Sequence, residues 1–209
     1  MVARPEHESF MDPAMRAVWD RMTPVPGDLR LYGGTALALY LNHRPSTDFD
    51  FATPAPVVNL GFVGALPWLE GARLRGGDGM VDALVSGGAR GVVVTFMECG
   101  SHVPLPVRDP VGTARGIAIA HPVDLAAAKI EACLSRGATR DFVDVAAALG
   151  AWPQWCREAV RSLPRNASDV ARGLVSPPSS AAQDLPQDAL RRIRSFGEAL
   201  VRTEHGPRL

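Results

Sequence analysis

Apolar and polar residues alternate along some stretches of the chain and recur with helical spacing along others. Alternating or β-branched runs bounded by glycine or proline predict strands over these segments: 29–32, 46–51, 73–75, 80–86, 92–97 and 116–120. Runs rich in helix formers predict helices over these segments: 8–22, 36–41, 57–69, 123–135, 139–148, 153–162 and 187–202. Glycine-rich turns between the middle strands predict antiparallel hairpins.

Strands concentrate in the first part of the chain and helices in the second. We therefore expect an α+β protein with a small mixed β-sheet, an N-terminal helix and a C-terminal helical region. The change in pattern predicts an α/β core over 1–121 and a helical region over 122–209. A Pro-Pro-Ser-Ser run predicts a flexible break near 176–181.

Two acidic residues share one face of the predicted strand at 46–51. Because side chains alternate across a strand, Asp48 and Asp50 project to one side and Phe49 and Phe51 to the other. Carboxylates whose Cα atoms are about 6 to 7 Å apart suit a hard divalent cation such as Mg²⁺, which takes its other ligands from water and substrate phosphates. Such a cation neutralises charge that develops during nucleotidyl transfer.

A glycine pair precedes this acidic strand. Gly33 and Gly34 lie between a predicted strand and a predicted helix, where they let the backbone approach a triphosphate closely. Thr35 is placed to cap that helix, which would leave first-turn amides available to an anion. Alone, the glycines are more simply explained by a tight turn, and the Asp-x-Asp by a solvated strand edge. Together, their order and spacing favour a site for a metal-bound nucleoside triphosphate.

A second candidate motif lies in the predicted helices of the C-terminal region. Lys129 is the only lysine among 22 lysine and arginine residues, and it follows Asp124, which is placed to cap its helix. A compact ammonium on a flexible stem can coordinate phosphate as a point charge. Asp141 and Asp144 follow in the next predicted helix. A surface lysine and ordinary intrahelical ion pairs are the simpler alternatives.

The run LYGGTALALYLNHRPSTDFDF at 31–51 resembles the N-terminal motif of the AbiEii/AbiGii nucleotidyltransferase-like toxin family, within the DNA polymerase beta-like nucleotidyltransferase superfamily. The segments 124–136 and 140–145 resemble the family's lysine-containing helix and its Arg-Asp-x-x-Asp helix. The resemblance implies a nucleotidyltransferase that moves a nucleoside monophosphate from an NTP to an acceptor. It further implies the toxin of a type IV toxin–antitoxin pair, with tRNA as a candidate acceptor and an antitoxin that acts indirectly.

The resemblance also implies roles for individual residues. Asp48 and Asp50 would bind Mg²⁺ or Mn²⁺, Lys129 would contact phosphate, and Asp141 would act as a base or organiser. The predicted catalytic residues are Asp48, Asp50, Lys129 and Asp141. The predicted nucleotide-binding residues are Gly33, Gly34, Thr35, Ser46, Lys129 and Arg136.

One position departs from the superfamily pattern, which usually includes a third carboxylate on a later central strand. The matching position in the strand at 92–97 is Thr95. Glu98 has an odd offset from Thr95 and falls on the opposite face, whereas Asp82 is more simply a solvent-facing hairpin residue. Three interpretations therefore stay open: an active nucleotidyltransferase, a degenerate fold that binds nucleotide or a partner without catalysis, and an enzyme that nucleotidylates an aminoglycoside-type antibiotic.

Composition and charge argue against some classes of protein and indicate a cellular environment. A formal net charge of zero argues against a large basic nucleic-acid surface. The three cysteines are far apart and lack metal-site spacing, which favours a reduced, cytoplasmic environment. No apolar run is long enough to cross a membrane and the N-terminus lacks a secretory signal, so we expect no membrane partner.

Overall fold

Strands and helices concentrate in different parts of the chain, as the sequence patterns indicate. The computed structural model describes residues 5–23, 25–26, 28–100, 107–110 and 112–204. Its internal packing divides the chain into two units, Met1–His121 and Pro122–Leu209. All strands of the described residues belong to the first unit, and the described part of the second unit is helical.

The first unit combines strands with short helices. Its elements are α1 (Pro13–Arg21), β1 (Arg30–Tyr32), α2 (Gly33–Leu41), β2 (Asp48–Thr53), α3 (Leu60–Gly64), a 3-10 helix (Pro67–Leu69), β3 (Arg73–Gly77), β4 (Met80–Ser86), β5 (Gly91–Glu98), β6 (Gly112–Ala114) and β7 (Ile117–Ile119). These strands form one mixed sheet in the order β3-β4-β5-β2-β1-β7-β6. β2 is parallel to β5 and β1 is parallel to β7, whereas the other neighbouring pairs are antiparallel. β2 therefore lies at the centre of the sheet.

Aromatic packing determines which face of β2 is buried. Phe49 and Phe51 are fully buried, and Phe49 stacks on Trp19 of α1 with ring centroids 5.7 Å apart. Phe51 stacks on Phe96 of β5 at 5.4 Å. A shift of β2 by one residue would exchange these rings for carboxylates in the core, so the core fixes the register of the strand.

The second unit consists of α4 (Pro122–Ser135), α5 (Thr139–Ala151), α6 (Pro153–Ser162), α7 (Ala167–Val175), α8 (Ser179–Asp184) and α9 (Gln187–Glu204). α4 packs against α5, α6 and α7, and α9 packs against α5 and α7. Among the described residues, no helix has both the length and the apolarity that crossing a bilayer requires.

The α+β class, the mixed sheet, the N-terminal helix and the helical C-terminal region are confirmed, but several element bounds differ. α1 begins at Pro13 rather than at residue 8, because Asp12 accepts a hydrogen bond from the Met15 amide and Pro13 occupies the first helical position. The helix predicted over 57–69 is shorter and gives way to a 3-10 turn at Pro67.

The second unit contains two helices that the sequence pattern did not predict. α7 was missed altogether, and α8 begins within the segment near 176–181 that was predicted as a flexible break. Pro178 precedes the first residue of α8, a position that proline tolerates because it needs no helical amide there. α4 begins at Pro122, so Asp124 lies in its first turn rather than capping it.

Candidate functional site

The predicted acidic pair lies on the open face of the sheet's central strand. Asp48 and Asp50 of β2 are half-buried, while Phe49 and Phe51 are buried on the other face. Asp50 lies opposite Tyr32 of β1 on one side and opposite Thr95 of β5 on the other. The alternation predicted from the sequence is therefore confirmed, and both carboxylates occupy one face.

The two glycines are in contact with charged side chains of the site. Gly33 has a φ of +70°, and a Cβ there would overlap the Oδ2 atom of Asp50. A Cβ on Gly34 would lie 2.6 Å from Nη2 of Arg44 and 3.2 Å from Oγ of Ser46. Gly33 is therefore favoured both by its backbone conformation and by the close approach of Asp50, whereas a side chain at Gly34 would have to displace the end of the flexible Arg44 side chain. The start of α2 lies directly against Asp50, Arg44 and Ser46.

The predicted cap of α2 is wrong in its detail. The helix begins at Gly33, after Tyr32, and no side chain caps it. Thr35 lies within the first turn, and its hydroxyl donates a hydrogen bond to the main-chain carbonyl of Asp48. The first turn therefore keeps amides that α-helical geometry leaves without helical acceptors, as an anion site requires. Thr35 instead joins α2 to β2.

Replacing Thr35 by valine should weaken this junction. Thr35 is buried, and valine keeps its shape but cannot donate to the Asp48 carbonyl, so we expect the free energy of unfolding to fall by about 1 to 3 kcal/mol. Urea unfolding of the whole chain measures the loss. Thr47→Val at an exposed neighbouring position is the matched control, with an expected change within about 0.5 kcal/mol. Equal stabilities of the two variants would contradict the role given to Thr35.

Arg44 is the residue of this site that sequence reasoning missed. Its guanidinium lies over Gly34, and its Nη1 donates to the Pro45 carbonyl at 2.8 Å. The buried Ser46 hydroxyl donates to Oδ1 of Asp48 at 3.4 Å. The sequence did contain a signal for Arg44, because this residue lies two positions before Ser46 in the same motif. An arginine fork beside a helix N-terminus can bind phosphate oxygens in a bidentate manner.

Thr95 is the residue that the resemblance matches to the superfamily's third carboxylate, and that assignment stays a prediction. Thr95 lies directly opposite Asp50, and its Oγ1 donates to Oδ1 of Asp82 at 2.9 Å. Glu98 belongs to the other face of β5, where its Oε1 accepts the Val58 amide at 3.0 Å. β5 pairs with β2 in unbroken register, so no bulge returns Glu98 to the acidic face.

The donor set fits a divalent cation of the magnesium type. Within the part of the chain that the structure describes, no group of three or more His, Cys, Asp and Glu side chains is placed to hold a metal ion. Asp48 and Asp50 thus offer two carboxylates, and Mg²⁺ commonly binds to one or two carboxylates with substrate phosphates and water as its other ligands. Softer metals that need several His or Cys ligands do not fit this pair.

The other predicted site residues belong to an ion cluster in the second unit, in which the Arg136 side chain is 52% exposed. Nζ of Lys129 lies 2.8 Å from Oδ2 of Asp144 and 3.4 Å from Oδ1 of Asp141. Arg136 donates to both oxygens of Asp141, through Nε and Nη2, each at 2.7 Å. Both aspartates are fully buried, and the Lys129 side chain is 9% exposed. These four residues therefore balance one another's charge between α4 and α5, and their roles toward nucleotide stay predictions.

Acid should destabilise the protein through Asp141. Burial alone would raise the pKa of this carboxyl, but hydrogen bonds from Arg136 and the charge of Lys129 outweigh burial and hold the pKa below its usual value. A carboxyl whose pKa is lowered by folding contributes stability that is full above its unfolded pKa, about 3.9, and is lost as the pH falls through the folded pKa.

We therefore expect the urea midpoint to decline steeply below about pH 4, and to decline less steeply in Asp141→Asn after each is normalised to its own value at pH 7. Parallel declines in the two proteins would show that Asp141 does not carry the effect. The measurement is a series of urea unfolding curves at stepped pH.

Comparison with known proteins supports the fold rather than a named family. No family model matches the chain, and no curated protein matches it. A candidate nucleotidyltransferase from Helicobacter pylori aligns over 91% of this chain and 92% of its own, with a TM-score of 0.53 and 18% identity. JHP933 from Helicobacter pylori aligns over 94% of each chain, with a TM-score of 0.57 and 17% identity.

The class that the fold defines is therefore nucleotidyltransferase-like. This confirms the fold expected from the sequence. Membership of the AbiEii/AbiGii family stays a prediction, because these neighbours are similar in fold and the matched identity is low.

Proposed function

We propose that this protein is a metal-dependent nucleotidyltransferase that moves a nucleoside monophosphate from an NTP to an acceptor. One observation carries the proposal: the N-terminus of α2 lies against the carboxylate of Asp50, with Gly33 at the point of contact. Helix amides that receive phosphate and carboxylates that hold a cation are thereby brought together. Those are the two requirements for binding a metal–triphosphate complex.

Residues of the first unit would bind the cation and the triphosphate. Asp48 and Asp50 would hold Mg²⁺ or Mn²⁺, which would neutralise charge on the phosphates during transfer. Gly33, Gly34 and Thr35 would bring the start of α2 close to the triphosphate. Arg44 and Ser46, both adjacent to Gly34, would contact phosphate oxygens. The acceptor oxygen would attack the α-phosphorus, and pyrophosphate would leave.

The second unit enters the proposal through the sequence resemblance. Lys129 would contact phosphate, Arg136 would support nucleotide binding, and Asp141 would act as base or organiser. The ion cluster that these residues form supports the organising role, since Arg136 and Lys129 hold the buried Asp141 carboxylate in a defined geometry.

Incorporation of labelled nucleotide tests the proposal directly. Each α-labelled NTP is incubated with the full chain and total RNA or protein, in Mg²⁺, in Mn²⁺ and in excess chelator. We expect label transfer that needs the divalent cation and is lost in the Asp48→Ala/Asp50→Ala protein. Asp78→Asn, which removes an exposed carboxylate from the β3–β4 turn, should keep wild-type transfer. Label transfer no greater than that of the double variant would overturn the proposal.

The biological role we propose is that of a type IV toxin, with tRNA as the acceptor and an antitoxin as an indirect partner. This step rests on the sequence resemblance together with the nucleotidyltransferase-like fold. Expression of the chain should arrest growth, and the Asp48→Ala/Asp50→Ala protein should not. Growth arrest that survives the double substitution would separate toxicity from nucleotidyl transfer.

One observation favours a second candidate function, nucleotide or partner binding without catalysis. Thr95 stands opposite Asp50 where the superfamily usually supplies a carboxylate. A hydroxyl binds a metal weakly and is a poor base, so a degenerate site would bind metal–NTP without turnover. Tight, cation-dependent NTP binding without label transfer under any condition would support this candidate.

A further inference from the structure

Register in the sheet connects three side chains that are far apart in sequence. Asp50 of β2 lies opposite Thr95 of β5, and Thr95 lies opposite Asp82 of β4. Residues directly opposite one another in neighbouring strands project from the same face. Asp50, Thr95 and Asp82 therefore form one row across the open face of the sheet.

A hydrogen bond fixes the outer carboxylate of this row. Oγ1 of Thr95 donates to Oδ1 of Asp82 at 2.9 Å, so the Asp82 side chain leans toward the centre of the sheet and toward Asp50. Thr95 is buried, whereas Asp82 is half-buried, so the Asp82 side chain is partly accessible on the open face of the sheet. Thr95 thus does more than occupy the place of a missing acid, because it holds an acid from the next strand.

We propose that Asp82 is the general base of the transfer reaction, held in position by Thr95. The inference rests on the proposed nucleotidyltransferase function and names the group that completes it. Asp82 accepts the proton of the acceptor hydroxyl as that oxygen forms its bond to the α-phosphorus. The bond from the α-phosphorus to the bridging oxygen breaks, and pyrophosphate leaves with the bonding electron pair.

The geometry of the row favours a role for Asp82 as a base rather than as a metal ligand. Adjacent strands are about 4.8 Å apart, so the Cα atoms of Asp50 and Asp82 lie roughly 10 Å apart across the row. The pair Asp48 and Asp50 gains no third metal-ligating side chain within the described residues, Asp82 included. An acceptor hydroxyl placed between the two carboxylates, on the side of Thr95, would be within reach of both a cation held by Asp50 and the base.

Asp82→Asn is the informative substitution because it removes charge and keeps the contact. The amide oxygen that it introduces would still accept the Thr95 hydroxyl, so a role confined to holding two strands together predicts wild-type turnover. For a general base we expect kcat to fall roughly 100-fold or more, with NTP binding unchanged within about twofold. Asp78→Asn in the adjoining turn is the matched control and should keep wild-type kcat.

Two further variants test positioning and replacement. Thr95→Val removes the hydroxyl that orients Asp82, and we expect a smaller fall in kcat, about tenfold, with unchanged NTP binding. Thr95→Asp in the Asp82→Asn background returns a carboxylate to the row, and should raise kcat at least about tenfold above Asp82→Asn alone. NTP binding is measured separately by equilibrium dialysis in Mg²⁺.

The outcomes separate this inference from the function on which it rests. If the wild-type protein turns over and the Asp82→Asn protein is equally active, the role of Asp82 is overturned and the proposed function still stands. A slow Asp82→Asn protein that Thr95→Asp does not accelerate would also overturn it, since the loss would not come from a missing base in this row. A wild-type protein without any turnover would overturn both.

Discussion

Replacing Asp50 by asparagine should reduce nucleotidyl transfer by roughly 1000-fold, equivalent to about 4 kcal/mol of lost transition-state stabilisation. Asparagine keeps the size of the side chain and one acceptor oxygen, but it removes the charge that would hold the cation against the triphosphate. Asp50 also adjoins Gly33, so its charge lies beside the helix terminus that would receive the same phosphates. The loss should therefore appear in both kcat and the cation dependence.

The measurement is label transfer as a function of Mg²⁺ concentration, for wild type, Asp50→Asn and the control Asp78→Asn. We expect the Asp50→Asn protein to need more Mg²⁺ and to remain slow at saturation, with a urea midpoint close to wild type. Retention of more than about a tenth of wild-type turnover would remove Asp50 from the catalytic machinery.

Replacing Lys129 by methionine should cost about 3 to 5 kcal/mol of folding stability. The ammonium of Lys129 contacts two carboxylates that are fully buried, those of Asp141 and Asp144. Removing Lys129 therefore leaves the charge of Asp144 without its lysine partner in a poorly solvated place. Urea unfolding measures this loss.

An exposed ion pair of the same unit supplies the control for Lys129. Arg165→Met breaks the bidentate contact with Glu131, and the side chains of Arg165 and Glu131 are 39% and 26% exposed. We expect this substitution to lower the free energy of unfolding by no more than about 1 kcal/mol. If Lys129→Met does not fold, Lys129→Met/Asp144→Asn should recover much of the loss, because the carboxylate that faced the ammonium is then replaced by a neutral amide. Equal costs for Lys129→Met and Arg165→Met would contradict a stabilising role for the cluster.

Stability and catalysis separate the two interpretations of Lys129. If Lys129 acts only within the cluster, Lys129→Arg should keep most of the folding stability, and turnover should be kept with it. A lysine that also contacts phosphate as a point charge would lose turnover in Lys129→Arg even where the chain folds normally, because the two cations differ in shape and donor geometry.

The alternation around Asp48 and Asp50 could be predicted from the sequence because strand periodicity is a local property. Phe49 and Phe51 both had to enter the core, so the face of each carboxylate followed. Thr95 was matched to the superfamily's third-carboxylate position through the resemblance, but its pairing with Asp50 was not predicted.

Contacts across the fold were not accessible in the same way. The row from Asp50 to Asp82 depends on the register of three strands, which no local pattern specifies. The approach of Arg44 to Gly34 depends on how the loop after α2 returns to the start of that helix. The Thr35 cap failed because α2 begins at Gly33, three residues earlier than expected.

The contacts of Gly33 and Thr35 have a mechanical consequence. Gly33 adjoins the Asp50 side chain, and Thr35 is bonded to the main chain of Asp48, so two successive residues of one face of β2 are tied to the first turn of α2. We therefore expect the helix terminus and the acidic strand to move together. If the protein has the proposed function, motion that admits substrate and releases product would occur in the surrounding segments, and the distance between the helix amides and the carboxylates would be kept from one turnover to the next.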